Sequence, residues 1–191
     1  MPSPLRHLPN VITVLRMFAA VPLAWSIAAG EYRAALLWAI AAGASDALDG
    51  LLAKRFDWQS ELGGRIDPIA DKLLLLSATV ALVIAGELPL WWLGLSVGRD
   101  VVIVGGALAY HTLIGPLRAR PTLLSKVTTA LQIALVLFAI VASDATAGNW
   151  QEALARYLLW LAAAATLASG VHYVLVWSSR ARREWSHRTD P

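Results

Sequence analysis

The stretch Ser45–Leu73, SDALDGLLAKRFDWQSELGGRIDPIADKL, sets four aspartates within or at the edges of two apolar runs: Asp46, Asp49, Asp67 and Asp71. An aspartate at the centre of a membrane-crossing helix costs about 2.5–3.5 kcal/mol on insertion scales, so four facing lipid would cost on the order of 10 kcal/mol. They must face water, cations or one another. At about 100° per residue, Asp46 and Asp49 share one helix face. Gly50 and Ala53 fall close to the face of Asp46 and leave a shallow space beside the carboxylates. Beyond a short polar connection, Gly63, Asp67 and Asp71 follow at i, i+4 and i+8 of a continuous helix. Two adjacent antiparallel helices would bring both aspartate pairs to one end.

Four clustered carboxylates repel unless neutralised. Hard divalent cations with oxygen ligands, Mg²⁺ or Mn²⁺, meet that need. Two such ions about 4 Å apart would hold a diphosphate and support a phosphoryl-type transfer. Asp67 before Pro68 also fits a helix N-cap with proline at N1, a role that does not exclude metal binding. Asp57 and Glu61 read as solvated loop charges.

Around this stretch, the chain of 191 residues is 58% hydrophobic and only 15% charged, with a mean hydropathy of +0.59. Soluble domains carry roughly 45–50% apolar and about 25% charged residues. The composition argues for a small integral membrane protein and against a soluble enzyme or a disordered chain. There is no cysteine, which excludes disulfides, thiolate metal sites and cysteine nucleophiles. A net charge of +3 gives no nucleic-acid footprint.

Six windows are long and apolar enough to span, at about 20 residues each: 9–29, 34–55, 66–86, 90–114, 122–143 and 152–177. The first lacks a small-residue cleavage site and reads as a span, not a signal peptide. Breakers mark the connections Gly30-Glu31, Phe56–Gly64, Gly86–Pro89, Gly115–Pro121 and Asp144–Asn149. The expected fold is all-α, a single membrane domain over residues 1–191 with six transmembrane helices. Arg6, Lys54, Arg55, Arg65, Arg118, Arg120 and the tail from Arg180 to Arg188 fall on one side of that layout. Arg33, Glu31, Glu87, Asp144 and Glu152 fall on the other. The positive-inside rule then puts both termini in the cytoplasm. The basic tail, 180–191, is placed to contact anionic lipid headgroups.

The acidic block resembles the signature of the CDP-alcohol phosphatidyltransferases, D-x2-D-G-x2-A-R-x8-G-x3-D-x3-D. Asp46, Asp49, Gly50, Ala53, Gly63, Asp67 and Asp71 match; Lys54 stands where the family has arginine, keeping the charge but not the bidentate fork. Leu8-Pro9-Asn10, Thr13 and Arg16 extend the likeness. It implies a membrane enzyme that moves a phosphatidyl group from CDP-diacylglycerol to an alcohol, releasing CMP on the cytoplasmic face, and working as a homodimer. It implies two metal ions, Mg²⁺ or Mn²⁺, held by Asp46, Asp49, Asp67 and Asp71, with Asp71 also the general base. Gly50, Ala53 and Gly63 would give the cytidine room, with Lys54 near the phosphates and Arg55 sharing its role.

The stretch Asp67–Lys72 looks like the phosphatidylglycerophosphate synthase and cardiolipin synthase branch. Arg99-Asp100, Gly106-Ala107-Leu108 without a second arginine, and Arg120–Gln132 are more similar to the cardiolipin enzymes, which makes phosphatidylglycerol the expected acceptor. Glycerol 3-phosphate is the alternative. Arg16, Arg55, Arg99 and Lys126 are candidate phosphate or acceptor contacts. Against this stand bland roles: Arg99 pairing with Asp100, and Lys126 snorkelling to the interface. Arg16, a basic residue inside a span, should face a bundle interior or cavity. A small ion-coupled transporter is the competing class, although transport sites favour the midplane on discontinuous helices. Aromatic prenyltransferases also hold a diphosphate on Mg²⁺, but with two separated aspartate motifs.

Overall fold

The computed structural model describes residues 8–55, 61–113 and 122–189, with side chains described for 12–51, 55, 66–112 and 122–179. Six helices follow one another: α1 (Leu8–Ala28), α2 (Tyr32–Arg55), α3 (Glu61–Ile84), α4 (Leu90–Leu113), α5 (Leu123–Ala142) and α6 (Asn149–Thr189). Every apolar window became a helix within a few residues of its expected bounds, except at two ends. α3 starts at Glu61, so Glu61, Gly63 and Gly64 belong to the helix and not to the connection. Asp67 is therefore not an N-cap, and Pro68 sits inside the helix, with no N–H for the carbonyl four residues earlier. α6 runs on through the basic tail to Thr189. The rest of the Phe56–Gly64 connection, the Gly115–Pro121 connection, and Arg6, Asp57, Arg118 and Arg120 lie outside the described residues.

α2, α4, α5 and α6 contain stretches long and apolar enough to cross a membrane, and α1 carries the shorter apolar run Ile12–Ala28. α3 falls outside that set although it has 24 residues, because Glu61, Arg65, Asp67, Asp71 and Lys72 crowd its first half. This is an integral membrane protein by its apolar helices.

The chain divides into two compact units. The first comprises residues 1–88 and 136–155: α1, α2 and α3 with the end of α5 and the start of α6. Here α1 packs against both α2 and α3. Its core is built from small residues, Ala20, Ala35, Ala42, Ala70, Ala78, Ala81 and Ala139, around Leu23, Ile27 and Leu82. Large apolar side chains such as Phe18, Trp25, Leu37 and Ile84 are exposed. That inversion suits lipid, where tails solvate large apolar groups and small residues let helices approach closely. α1 and α3 end alike, on Gly30 (φ 74°) and Gly86 (φ 83°). The Gly30 N–H donates to the Ile27 carbonyl and Glu31 N–H to Ser26; Gly86 donates to Val83 and Glu87 to Leu82. These paired closures are Schellman caps, and the left-handed backbone is why glycine stands there.

The second unit comprises residues 89–135 and 156–191: α4, the first part of α5 and the remainder of α6. A buried polar seam joins its helices. Thr128 donates to the Ala165 carbonyl (3.2 Å), and the Gln132 amide donates to Thr166 Oγ1 (3.2 Å). Trp91 stacks on Trp160 with ring centroids 5.5 Å apart.

Candidate active site

Thr13 and Arg16 lie three residues apart on one face of α1, and both are buried. Arg16 Nη1 donates to Asp46 Oδ1 of α2 (2.5 Å) and to Asp71 Oδ1 of α3 (2.8 Å). Its Nη2 donates to Asp49 Oδ2 of α2. Thr13 Oγ1 donates to Asp67 Oδ1 of α3 (2.7 Å). A single helical turn of α1 thus reaches all four acidic residues of the motif. The helical spacings explain why: Asp46 and Asp49 stand at i, i+3, Asp67 and Asp71 at i, i+4, so each pair faces one neighbour.

The acids differ in access to water. The Asp49 side chain is 6% exposed, whereas those of Asp46 and Asp71 are 50% and 53% exposed. The cluster is sealed on the Asp49 side and open on the other. A side chain added at Gly50 would meet no described atom within 4 Å, so the space beside the acids is open there. Arg55 is exposed, and the side chains of Ala53, Lys54 and Gly63 lie outside the described residues.

Among the described residues, no group of three or more histidine, aspartate or glutamate side chains is arranged around a metal position as it stands. The positive charge on which three carboxylates converge is the Arg16 guanidinium. That stand-in cation is the observation by which the acids fit a cationic cofactor: oxygens from two helices already share one positive group, as metal ligands must.

The remaining candidates belong to the second unit. Arg99 is buried, and its Nη1 donates to Asp100 Oδ1 (2.8 Å), making the neighbour pairing the sequence offered. Its Nη2 donates to the hydroxyls of Ser125 (2.7 Å) and Ser169 (3.1 Å), two contacts that nothing in the sequence signalled. Arg99 also borders an apolar groove of about 330 Å³ lined by Leu95, Val102, Thr166, Gly170 and Val174. Lys126 is exposed, as an interfacial lysine would be. Thr13, which the sequence offered only as part of a resemblance, proves to hold the fourth aspartate.

Comparison with known proteins gives this geometry a context. A probable cardiolipin synthase (CMP-forming) of Drosophila melanogaster is 31% identical over 185 residues, covering 88% of this chain and 56% of that protein. The chloroplastic CDP-diacylglycerol–glycerol-3-phosphate 3-phosphatidyltransferase 1 of Oryza sativa subsp. japonica is 32% identical over 184 residues, 87% of this chain and 56% of that one. A probable phosphatidylglycerophosphate synthase of Mycobacterium tuberculosis is 40% identical over 118 residues, 53% of this chain and 56% of its own length. The chain spans little more than half the length of these relatives. The pattern described as CDP-alcohol phosphatidyltransferase matches residues 6–168, a span that contains the whole acidic cluster together with Thr13 and Arg16. On that match, the chain belongs to the CDP-alcohol phosphatidyltransferase family.

Proposed function

We propose that this protein transfers a phosphatidyl group from CDP-diacylglycerol to a glycerol-type alcohol and releases CMP, with phosphatidylglycerol as the acceptor and cardiolipin as the product. The observation that carries the reading is the convergence of the motif carboxylates from α2 and α3 on one cationic group. Family membership supplies the reaction class. The named relatives include both cardiolipin synthases and phosphatidylglycerophosphate synthases at similar identity, so the acceptor rests on Arg99-Asp100, Gly106-Ala107-Leu108 and the run up to Gln132. Glycerol 3-phosphate remains the second reading, favoured by the rice relative's name.

In this mechanism Asp46, Asp49, Asp67 and Asp71 would hold two divalent cations, Mg²⁺ or Mn²⁺. When bound, these ions offset the diphosphate charge and polarise the phosphorus under attack. Asp71, half-exposed, accepts the proton of the acceptor hydroxyl while the new oxygen–phosphorus bond forms and the bond to the CMP oxygen breaks. Gly50, Ala53 and Gly63 leave room for the cytidine. Lys54, Arg55, Arg99 and Lys126 supply positive charge to phosphate or acceptor. The whole chain, 1–191, works as one domain with six spans. Both termini and the site face the cytoplasm, where the basic residues gather, and the protein works as a homodimer.

The test is direct. Purified full-length protein is incubated with CDP-diacylglycerol, Mg²⁺ and either phosphatidylglycerol or glycerol 3-phosphate, and CMP and the lipid product are measured. CMP and cardiolipin are expected with the first acceptor, and Asp71→Asn should abolish both while the protein stays folded in detergent. Product with glycerol 3-phosphate alone would move the assignment to the second reading. No CMP with any alcohol, from folded protein, would sink the transferase reading and favour ion-coupled transport.

A further inference from the structure

Arg16 is the most completely enclosed charge among the described residues of the first unit. Its side chain is 1% exposed, and its Nε has no hydrogen-bond partner among the described residues. Its hydrogen bonds among the described residues go to the acids. Three carboxylates meet this one guanidinium, and the fourth, Asp67, is held by Thr13.

The position of Nη1 is specific. It lies 2.5 Å from Asp46 Oδ1 and 2.8 Å from Asp71 Oδ1, bridging α2 to α3. A divalent cation such as Mg²⁺ binds oxygen at about 2.0–2.1 Å. An ion held by these carboxylates would compete with that nitrogen for their oxygens. Asp46 and Asp71 are also the half-exposed members, the ones an ion arriving from water meets first. Asp49, gripped by Nη2, is buried behind them.

We propose that Arg16 is the resident counter-cation of the acidic cluster, and that divalent ions load by exchange with it. Loading moves Nη1 off the Asp46–Asp71 bridge and leaves the Asp49 bond as the pivot. In the metal-free protein the guanidinium keeps two helices from being driven apart by their own carboxylates. In the loaded protein it no longer bridges them. Arg16 is thus a positioning residue toward the metal. This rests on reading the aspartates as metal ligands.

Mn²⁺ binding to the purified full-length protein, followed by the electron paramagnetic signal of the free ion, tests the exchange without any turnover. Competition between two occupants of one site lowers the affinity of each by the same factor. Arg16→Gln should therefore bind Mn²⁺ more tightly than wild type, by about tenfold. Arg16→Lys, which keeps the charge, should stay near wild type. In chelator Arg16→Gln should melt lower than wild type, and Mn²⁺ should raise its melting temperature by the larger amount. Equal or weaker Mn²⁺ affinity in folded Arg16→Gln overturns the exchange. Should Arg16→Gln not fold in chelator, ¹⁵N-arginine spectra of the wild type decide. One slowly exchanging guanidinium signal, absent in Arg16→Lys, should shift and exchange faster on saturation with Mg²⁺. An unchanged signal overturns the exchange. Wild type that binds no Mn²⁺ overturns both the exchange and the metal reading, whereas equal binding by wild type and Arg16→Gln removes the exchange alone.

Discussion

Arg16 and Arg99 are both arginines buried within apolar helices, yet they are surrounded in opposite ways. Arg16 meets three carboxylates from two other helices, and Asp67 stands on Thr13 beside them. Arg99 meets one carboxylate, its own chain neighbour, and two neutral hydroxyls. The first arrangement has negative charge in excess and invites cations. The second pairs with Asp100 and two hydroxyl dipoles, so its contacts carry no excess of negative charge. A buried arginine inside a membrane protein is commonly functional, but which function follows from the charge balance of its partners.

Removing each guanidinium sharpens the contrast most. In chelator at neutral pH, Arg16→Gln should lower stability by about 3 kcal/mol, the low end of what breaking a buried pair costs, because Asp46 and Asp71 can still reach water. Arg99→Gln should cost about 1–2 kcal/mol, since Ser125 and Ser169 are neutral and Asp100 is partly exposed. Unfolding in detergent, by heat or by added denaturing surfactant, measures both. Equal losses would break the comparison.

The pairwise couplings come next. Adding Asp49→Asn to Arg16→Gln removes the buried acid left without its partner, so the double variant should be more stable than the two losses predict, by about 1.5–3 kcal/mol. Ser169→Ala in the Arg99→Gln background should show a coupling of about 0.5–1 kcal/mol, that of an ordinary hydrogen bond. A larger coupling at Ser169 than at Asp49 would reverse the ranking of the two sites.

Much of the first site was legible in the sequence, because helical periodicity is local. Asp46 and Asp49, or Asp67 and Asp71, announce a shared face from their spacing alone. What spacing cannot convey is which distant residue meets that face: Arg16 lies 30 to 55 positions from its partners. Its presence inside an apolar run showed that it must face inward, not that it would find the aspartates. The start of α3 was missed because Gly63 and Gly64 read as breakers, whereas the helix accommodates them ahead of Pro68. The continuation of α6 was missed because a basic run after an apolar one reads as an end of the span, which need not be an end of the helix. At Arg99 the adjacent aspartate was visible, but the serines from α5 and α6 were not.

A smaller effect separates two glycines of the second unit. A methyl group at Gly106 would clash with two carbons of the Trp177 ring, so Gly106→Ala forces that side chain to move. Overpacking of this kind costs about 1–3 kcal/mol. At Gly170 the nearest such contact is the aliphatic stem of Arg99 at 3.9 Å, an ordinary distance, so Gly170→Ala should be close to neutral. Thermal unfolding of the two variants side by side checks this, and an intact Gly106→Ala would mean that the Trp177 ring has room to withdraw.

The least costly test concerns a third charged group, at the opposite end of α2 from the aspartates. Arg33 Nε donates to Asp144 Oδ2 at 3.0 Å, and the Thr146 N–H donates to Asp144 Oδ1 at 2.9 Å, with the Thr146 hydroxyl also bonded to that oxygen. The Thr146 hydroxyl foremost, then its N–H and Arg33, hold the Asp144 carboxyl down at about 2. A carboxyl depressed in the folded state stabilises above its unfolded pKa and loses that contribution as pH falls through the folded one. The Asp144 contribution should therefore be complete above about pH 4 and fade toward pH 2. Carboxyl ¹³C titration should place Asp144 lowest in the wild type and move it upward in Thr146→Ala by more than in Arg33→Gln. Salt separates the two causes. At about 1 M salt, where screening acts within roughly 3 Å, the share due to exposed Arg33 should shrink while the short Thr146 bonds keep theirs. If salt alone restored an ordinary pKa, the pairing with Arg33 would be the main cause. Asp144 would then join Arg16 and Arg99 as a site governed by ion pairing, and the Thr146 turn would have no part in it.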